Sequence, residues 1–186
     1  MKLQIKNMVC RHCMEAVLGV FRQLQIEVTA IRLGEVEVKV TEEELDYQKL
    51  KVLLERNGFE LLEDRELKTV EKIKTIIIKM IHHDKQKKKK KNSVFLAEQL
   101  GLSYAYLSKL FSKHEHLTIE KYIILQKIER VKELISYQEL TLSEIAYNLG
   151  YSSVQHLSNQ FKSVTGMSVS AFKTLEKKER KALNEV

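Results

Sequence analysis

Proline is absent from the chain, cysteine occurs only twice, and no apolar run extends beyond a few residues. The runs, of which Ile76-Ile77-Ile78 is typical, are far too short to span a bilayer, so no membrane partner is expected. Cys10 and Cys13 are too few and too close to build the disulfide framework of a small secreted protein, and point instead to metal or redox chemistry. The first residues, Met1-Lys2-Leu3-Gln4-Ile5, alternate polar and apolar without a signal-peptide stretch, so a cytoplasmic location is expected. Paired catalytic carboxylates, a nucleophile elbow and a phosphate-binding glycine loop are also missing, and the chain is not expected to be an enzyme.

What is present is length for one medium domain or two small ones, and a charge that is unevenly spread. Residues 1–67 hold 10 Lys and Arg against 13 Asp and Glu, a net −3; residues 68–186 hold 22 against 12, a net +10. Lys and Arg gain affinity for a polyanion by displacing its counterions, so only the second part is expected to meet nucleic acid.

Hydrophobic periodicity over residues 1–64 predicts strand, helix, strand, strand, helix, strand. Leu3 and Ile5 alternate on a first strand, and Met14, Val17, Leu18, Phe21 and Leu24 recur at helical spacing. Val28 and Ala30, then Val36, Val38 and Val40, alternate about Leu33-Gly34-Glu35 as a hairpin. Thr41 to Glu44 has a capping-box pattern, Leu45, Leu50, Leu53 and Leu54 form a buried face, and Asn57-Gly58 ends that helix. Phe59 and Leu61 begin a last strand. The order βαββαβ is that of the α+β ferredoxin-like sandwich, one sheet covered on one face by two helices. Residues 65–92 read as a linker: the spacing predicts a helix over 66–82, with Val70, Ile73, Ile77 and Met80 or Ile81 on one seam. That seam docks on a neighbouring domain or pairs with its copy in a homodimer. Lys85 and Lys87 to Lys91 follow as a solvated loop that could contact phosphate without reading sequence.

An internal near-repeat comes next. Ala97, Leu100, Gly101 and Ser103 recur 49 positions later as Ala146, Leu149, Gly150 and Ser152; Leu107, Ser108 and Phe111 recur 50 positions later as Leu157, Ser158 and Phe161. The second copy therefore has one extra residue in its turn. Each copy has a small residue for close helix crossing, a glycine for the turn, and a serine (Ser103; Ser152 or Ser153) to cap the following helix. Leu107, Leu110 and Phe111, and Leu157 and Phe161, form the inward faces. Facing outward are Tyr104, Ala105, Ser108 and Lys109 in the first copy, and Val154, Gln155, His156, Ser158, Asn159 and Gln160 in the second. The amides of the second set suit adenine edges. Ile119, Ile123, Ile124, Ile128, Val131 and Ile135 form a helical stripe between the copies, as a rigid spacer of two reading heads requires.

Over residues 93–175 these features resemble the AraC family. The stretch Leu142-Ser143-Glu144-Ile145-Ala146-Tyr147-Asn148-Leu149-Gly150-Tyr151-Ser152-Ser153, continuing through Phe161-Lys162-Ser163-Val164-Thr165-Gly166 to Phe172-Lys173, resembles that family's signature. The resemblance implies an all-α domain of two helix-turn-helix units that enter successive major-groove segments of double-stranded promoter DNA. Ala105, Ser108 and Lys109 would face the groove in the first unit, and Val154, Gln155, His156 and Asn159 in the second. RNA polymerase is a further candidate partner. Two positions depart from the pattern: His116 stands where the first unit usually has Gly, and Ser168-Val169-Ser170 replaces the usual proline, as drift in a chain without proline would leave it. Residues 176–186 read as a charged tail.

In Met8-Val9-Cys10-Arg11-His12-Cys13, two thiolates at a helix N-terminus are favoured by its dipole, expected to have lowered pKa values, and able to converge on a soft ion. The spacing also suits a reversible disulfide. In context, residues 1–64 resemble the heavy-metal-associated domain, with Phe59 at the loop that flanks the metal in that family and Asn7 in place of its usual Gly. Cu(I) or Zn(II) at Cys10 and Cys13 is the cofactor this implies; redox sensing, or a relic kept for dimerisation, are the other readings of the pair. His12, His82, His83, His114 and His116 read as surface residues.

The chain is therefore expected to be a sequence-specific DNA-binding transcription regulator whose cysteine pair modulates it through packing on the 66–82 helix. The alternative is a cytosolic metal-binding carrier or redox protein with an accessory nucleic-acid-binding domain.

Overall fold

A computed structural model describes residues 1–83, 91–175 and 179–186. It divides into two compact units, Met1–Thr75 and Ile76–Val186. The lysines of the basic run from 85 to 90 lie outside the described residues; Lys91 precedes the first helix of the second unit and is exposed.

In the first unit, β1 (Lys2–Lys6), α1 (Arg11–Gln23), β2 (Val28–Arg32), β3 (Glu35–Val38), α2 (Tyr47–Arg56) and β4 (Glu60–Leu62) follow one another. The strands form one antiparallel sheet in the order β2-β3-β1-β4, with Ile5 opposite Leu61 and Leu3 opposite Val36. Alternation sends Leu3, Ile5, Val36, Val38 and Leu61 into one core with Val17, Val20 and Phe21 of α1 and Leu50 and Leu54 of α2. Gln4 and Leu62, which alternate away from that core, are buried as well. The sheet is therefore not left open on its second face, as covering by two helices would leave it.

The expected start of α2 is corrected. Both the Thr41 amide and its hydroxyl donate to the Glu44 carboxylate, but they do so within a turn; the helix opens at Tyr47, where Asp46 accepts from the Lys49 amide. Thr41-x-x-Glu44 satisfies its donors locally without needing a helix behind it.

The predicted 66–82 helix is observed as α3 (Arg65–Ile78), running into a π-helical turn, Lys79–His83. Asp64 caps it by accepting from the Leu67 amide. Its seam of Val70, Ile73, Ile77 and Ile81 is buried within the single chain and needs no second copy to cover it. In the first unit, α3 meets the strand-end loops at Asn7 and Gly34. The Asn7 amide donates to Glu71 at 3.3 Å, and Gly34 of the β2–β3 turn lies so close to Thr75 that a Cβ there would sit 2.8 Å from its hydroxyl oxygen. With φ at +75° as well, Gly34 is required twice over.

The second unit is helical: α4 (Asn92–Leu100), α5 (Tyr104–Glu115), α6 (Ile119–Tyr137), α7 (Leu142–Asn148), α8 (Val154–Thr165) and α9 (Val169–Thr174). At 1.5 Å per residue α6 is a rod of about 28 Å. Ile128, Val131 and Ile135 share a core with Ile145, Leu157, Phe161 and Phe172, while the Tyr122 ring packs on Phe111 of α5 at 5.5 Å. One polar residue sits at the centre of this helix. Gln126 is fully buried; its amide nitrogen donates to the Tyr122 hydroxyl and the Leu183 carbonyl, and its oxygen lies 2.9 Å from His82 Nε2. Lys181 N–H donates to Glu129, and Arg180 pairs with Glu133, so part of the charged tail is held against α6.

His82 thus corrects the reading of it as a surface residue. With the Gln126 oxygen accepting, Nε2 carries the proton of a neutral ring. Burial pulls its pKa down to about 4, against the opposing pull of Gln126 and Glu133; Arg130 and His83 add to the lowering. The unfolded chain, with an ordinary imidazole near 6.5, then binds more protons than the folded one between pH 4 and 6.5. Stability from this group is complete above about pH 6.5 and declines as pH falls to 4. Denaturant unfolding across that range should show a loss of up to about 3 kcal/mol. A His82→Gln variant should show a flatter profile, and an unchanged slope would contradict the assignment.

Candidate nucleic-acid interface

Two helix pairs, α4–α5 and α7–α8, lie on α6. In the first, Gly101 at φ +65° ends α4 and Ser103 caps α5 by accepting from the Tyr106 amide. In the second, a capping box opens α7, Thr141 and Glu144 exchanging side-chain and backbone bonds; Gly150 turns at φ +70°, and Ser153 caps α8 by accepting from the His156 amide. The capping role thus falls to Ser153, not Ser152. Ser103 matches Ser153 and Leu102 matches Tyr151, so Ser152 is the inserted residue of the longer turn.

His116, in place of the usual glycine, ends α5 at φ +57° in the left-handed region, and Gln138 ends α6 in the same way. The turn keeps its shape, and the residue bears the strain that a glycine would avoid. Ser168 caps α9 where the proline was expected, its hydroxyl accepting from the Ala171 amide.

On α5, Ala105 and Lys109 are exposed and Ser108 half-buried; on α8, Gln155, His156 and Asn159 are exposed and Val154 half-buried. Gln155 Nε2 donates to Asn159 Oδ1 at 2.7 Å, so the two amides act as a pair one turn apart. His156 Nδ1 lies 3.0 Å from the Ser152 hydroxyl, and its ring meets the edge of Tyr151 with centroids 5.3 Å apart. Tyr151 in turn donates to Gln160 at 2.7 Å, lies under Lys127 Nζ at 5.1 Å, and has its hydroxyl pushed up to about 12 by burial.

Tyr104, expected among the outward residues, instead donates its hydroxyl to the Glu120 carboxylate of α6. Burial, with the Glu120 carboxylate next, pushes this phenol up, while the bond from Tyr104 holds Glu120 down. Its role is to hold α5 to α6. Tyr106, which the outward set omitted, is 46% exposed and occupies the first copy's equivalent of His156. Counting back from the shared Leu107 and Leu157 would have found it.

Residues 96–174 match the family model described as a helix-turn-helix domain. This stretch is a helix-turn-helix domain. A curated relative, the Msm operon regulatory protein of Streptococcus mutans serotype c, is 35% identical over 78 residues, 42% of this chain. The chain covers 28% of that relative's length. Among solved structures, the chain is similar to a DNA-binding transcriptional dual regulator from Escherichia coli K-12, with 20% identity over 56% of this chain and 88% of that one, TM-score 0.47. It is also similar to the C-terminal domain of the two-component response regulator yesN from Fusobacterium nucleatum subsp. nucleatum, with 27% identity over 55% of this chain and 98% of that one, TM-score 0.46. No described helix is long and apolar enough to cross a membrane.

In the first unit Cys10 stands at the N-cap position of α1 without a side-chain capping bond, and its sulfur lies 3.3 Å from that of Cys13; neither is in a disulfide. Against the expected lowering, burial pushes the Cys13 thiol up, outweighing the Val9 and Cys10 backbone amides that pull it down. Asn7 adopts φ +70° where the resembling family has Gly, and its side-chain amide donates to the Gly58 carbonyl. Phe59 follows that carbonyl and is buried; His12 is exposed. No group of three or more His, Cys, Asp or Glu able to hold a metal occurs among the described residues.

The capping assignment is testable by denaturant unfolding. Ser153→Ala should cost about 1 kcal/mol, the usual worth of an N-cap, while Ser152→Ala should cost a few tenths at most. Equal losses would contradict it.

Proposed function

We propose that the chain is a sequence-specific, DNA-binding transcription regulator of the AraC type. The observation that supports this best is that two complete helix-turn-helix pairs share one helix within the basic part of the chain. A fused pair mounted on one rod suits two neighbouring segments of major groove. Ala105, Ser108 and Lys109 face the groove from α5, and Val154, Gln155, His156 and Asn159 from α8. The paired amides favour the second unit as the better reader, while Lys109 gives the first a phosphate contact.

The first unit is read as a ferredoxin-like, heavy-metal-associated input domain, on the order βαββαβ and the sheet order β2-β3-β1-β4. Two sulfurs 3.3 Å apart, at the N-cap and in the first turn of α1, suit a soft ion held by two thiolates. Zn(II) would need donors beyond this pair. Cu(I) is therefore the better match, and when bound it would offset one of the two thiolate charges; the short sulfur separation equally suits a disulfide under oxidation. The Asn7 backbone amide, at the start of the loop that leads to Cys10, donates to Glu71 of α3.

Binding of the full chain to randomised and selected duplexes at several salt concentrations tests the regulator reading. Selected duplexes should bind at least a thousandfold more tightly than bulk DNA, with affinity falling steeply as salt rises. Gln155→Ala with Asn159→Ala should remove most of that selectivity and leave the salt dependence in place. A chain that binds Cu(I) and ignores duplex DNA would favour the carrier reading. For the input domain, a Cys10→Ser, Cys13→Ser variant should lose any response of operator occupancy to copper or oxidant.

A further inference from the structure

The turn of the second helix-turn-helix pair is one residue longer than that of the first, and the inserted residue, Ser152, is not the helix cap. Its hydroxyl lies 3.0 Å from His156 Nδ1. The preceding residue, Tyr151, stands perpendicular to the same imidazole with centroids 5.3 Å apart, and is itself fixed by burial and by its bond to Gln160 one helix turn beyond His156. Thus the two residues that distinguish this turn from its partner both end on one exposed side chain. In the first copy the equivalent turn has only Leu102, and the equivalent of His156 is Tyr106.

We infer that Tyr151 and Ser152 are positioning residues that present His156 to the major groove as a hydrogen-bond donor through Nε2, and so select guanine at one operator position. This rests on the reading that α8 enters the groove. His156 is the third residue of α8, in its first turn, where the helix dipole makes the local field positive. That field favours a lone pair on the nitrogen nearest it. Nδ1 therefore accepts from Ser152, and in the neutral ring the proton resides on Nε2. A single donor at the outer edge of the ring meets two adjacent acceptors, N7 and O6, on guanine. Adenine offers N7 flanked by a donor, thymine a single acceptor, O4, beside its methyl group, and cytosine a donor alone, so only guanine presents two adjacent acceptors. The Gln155–Asn159 pair, bonded to each other and not to His156, reads elsewhere.

The test is enrichment of binding sequences from a randomised duplex pool by the full chain, carried out with wild type, His156→Ala, Ser152→Ala, Ser152→Thr and Gln155→Ala. Wild type should select a guanine at one position, preferred by roughly tenfold or more over the other bases, as a single specific contact allows. His156→Ala and Ser152→Ala should both lose that preference at the same position and keep the rest of the site. Ser152→Thr, which retains a hydroxyl, should restore it, and Gln155→Ala should alter a different position. Thermal unfolding of Ser152→Ala should match wild type, which separates orientation from folding. An unchanged guanine preference in Ser152→Ala, or a His156→Ala change at a position where wild type selects another base, would overturn the inference while leaving the regulator reading intact. Failure of wild type to enrich any sequence would overturn both.

Discussion

A single helix must serve as the wall of two hydrophobic cores. α6 meets the first helix pair through Tyr122 on Phe111, and the second through Ile128, Val131 and Ile135. Each pair is too small to bury its apolar surface alone, so each depends on the same rod for stability. The rod also sets the angle and separation of the two recognition helices. Neither pair can rotate far without exposing its side of α6, and interiors packed to crystal-like density resist such displacement. The relative placement of α5 and α8 thus comes from the same contacts that hold the domain together.

Burying a helix on several sides forces polar groups inward, and α6 has one at its midpoint. Gln126 is tolerated because its amide donates twice and accepts once, to Tyr122, Leu183 and His82. Those three partners come from α6 itself, from the C-terminal stretch and from the π-helical turn. Polar satisfaction of one side chain therefore ties together three segments that are far apart in the chain. Glu129 and Glu133 extend the pattern with Lys132, Lys181, Arg130 and Arg180. Burial pushes Glu133 up, but the bond from Arg130 and the charges of Arg130 and Arg180 outweigh it, and it stays below the usual range.

The two units use one backbone device for different ends. Left-handed residues at Gly101, Gly150 and His116 set helix directions around the recognition helices; Asn7 and Gly34 set the loops by which the sheet meets α3. At Asn7 the device joins three parts of the first unit: the strand β1, the cysteine loop that follows it, and the Glu71 carboxylate. Cys10 stands three positions after Asn7 on that loop.

Element order was legible in the residue pattern because local rules govern it. The period of two gave the strands, the period of three to four gave the helices, and Gly101, Gly150 and Gly58 marked their ends. The repeat located both recognition helices and most of their outward residues. Four features escaped that reading, each because a distant partner decides it. Thr41 and Glu44 bond to each other whether or not a helix follows, so the start of α2 at Asp46 depends on packing. Tyr104 lies on an outward face of α5 until α6 brings Glu120 to it. His82 has no local sign of burial, because Gln126 is 44 positions away. Cys13 sits where the helix dipole should favour a thiolate, yet burial in the folded unit raises it. By itself the sequence determined the elements, the repeat and the charge of each half, all of which depend on neighbours a few residues apart. Only the tertiary structure decided which polar side chains are buried, which serine caps and which holds His156, because those outcomes depend on desolvation and on partners that the chain must fold to meet.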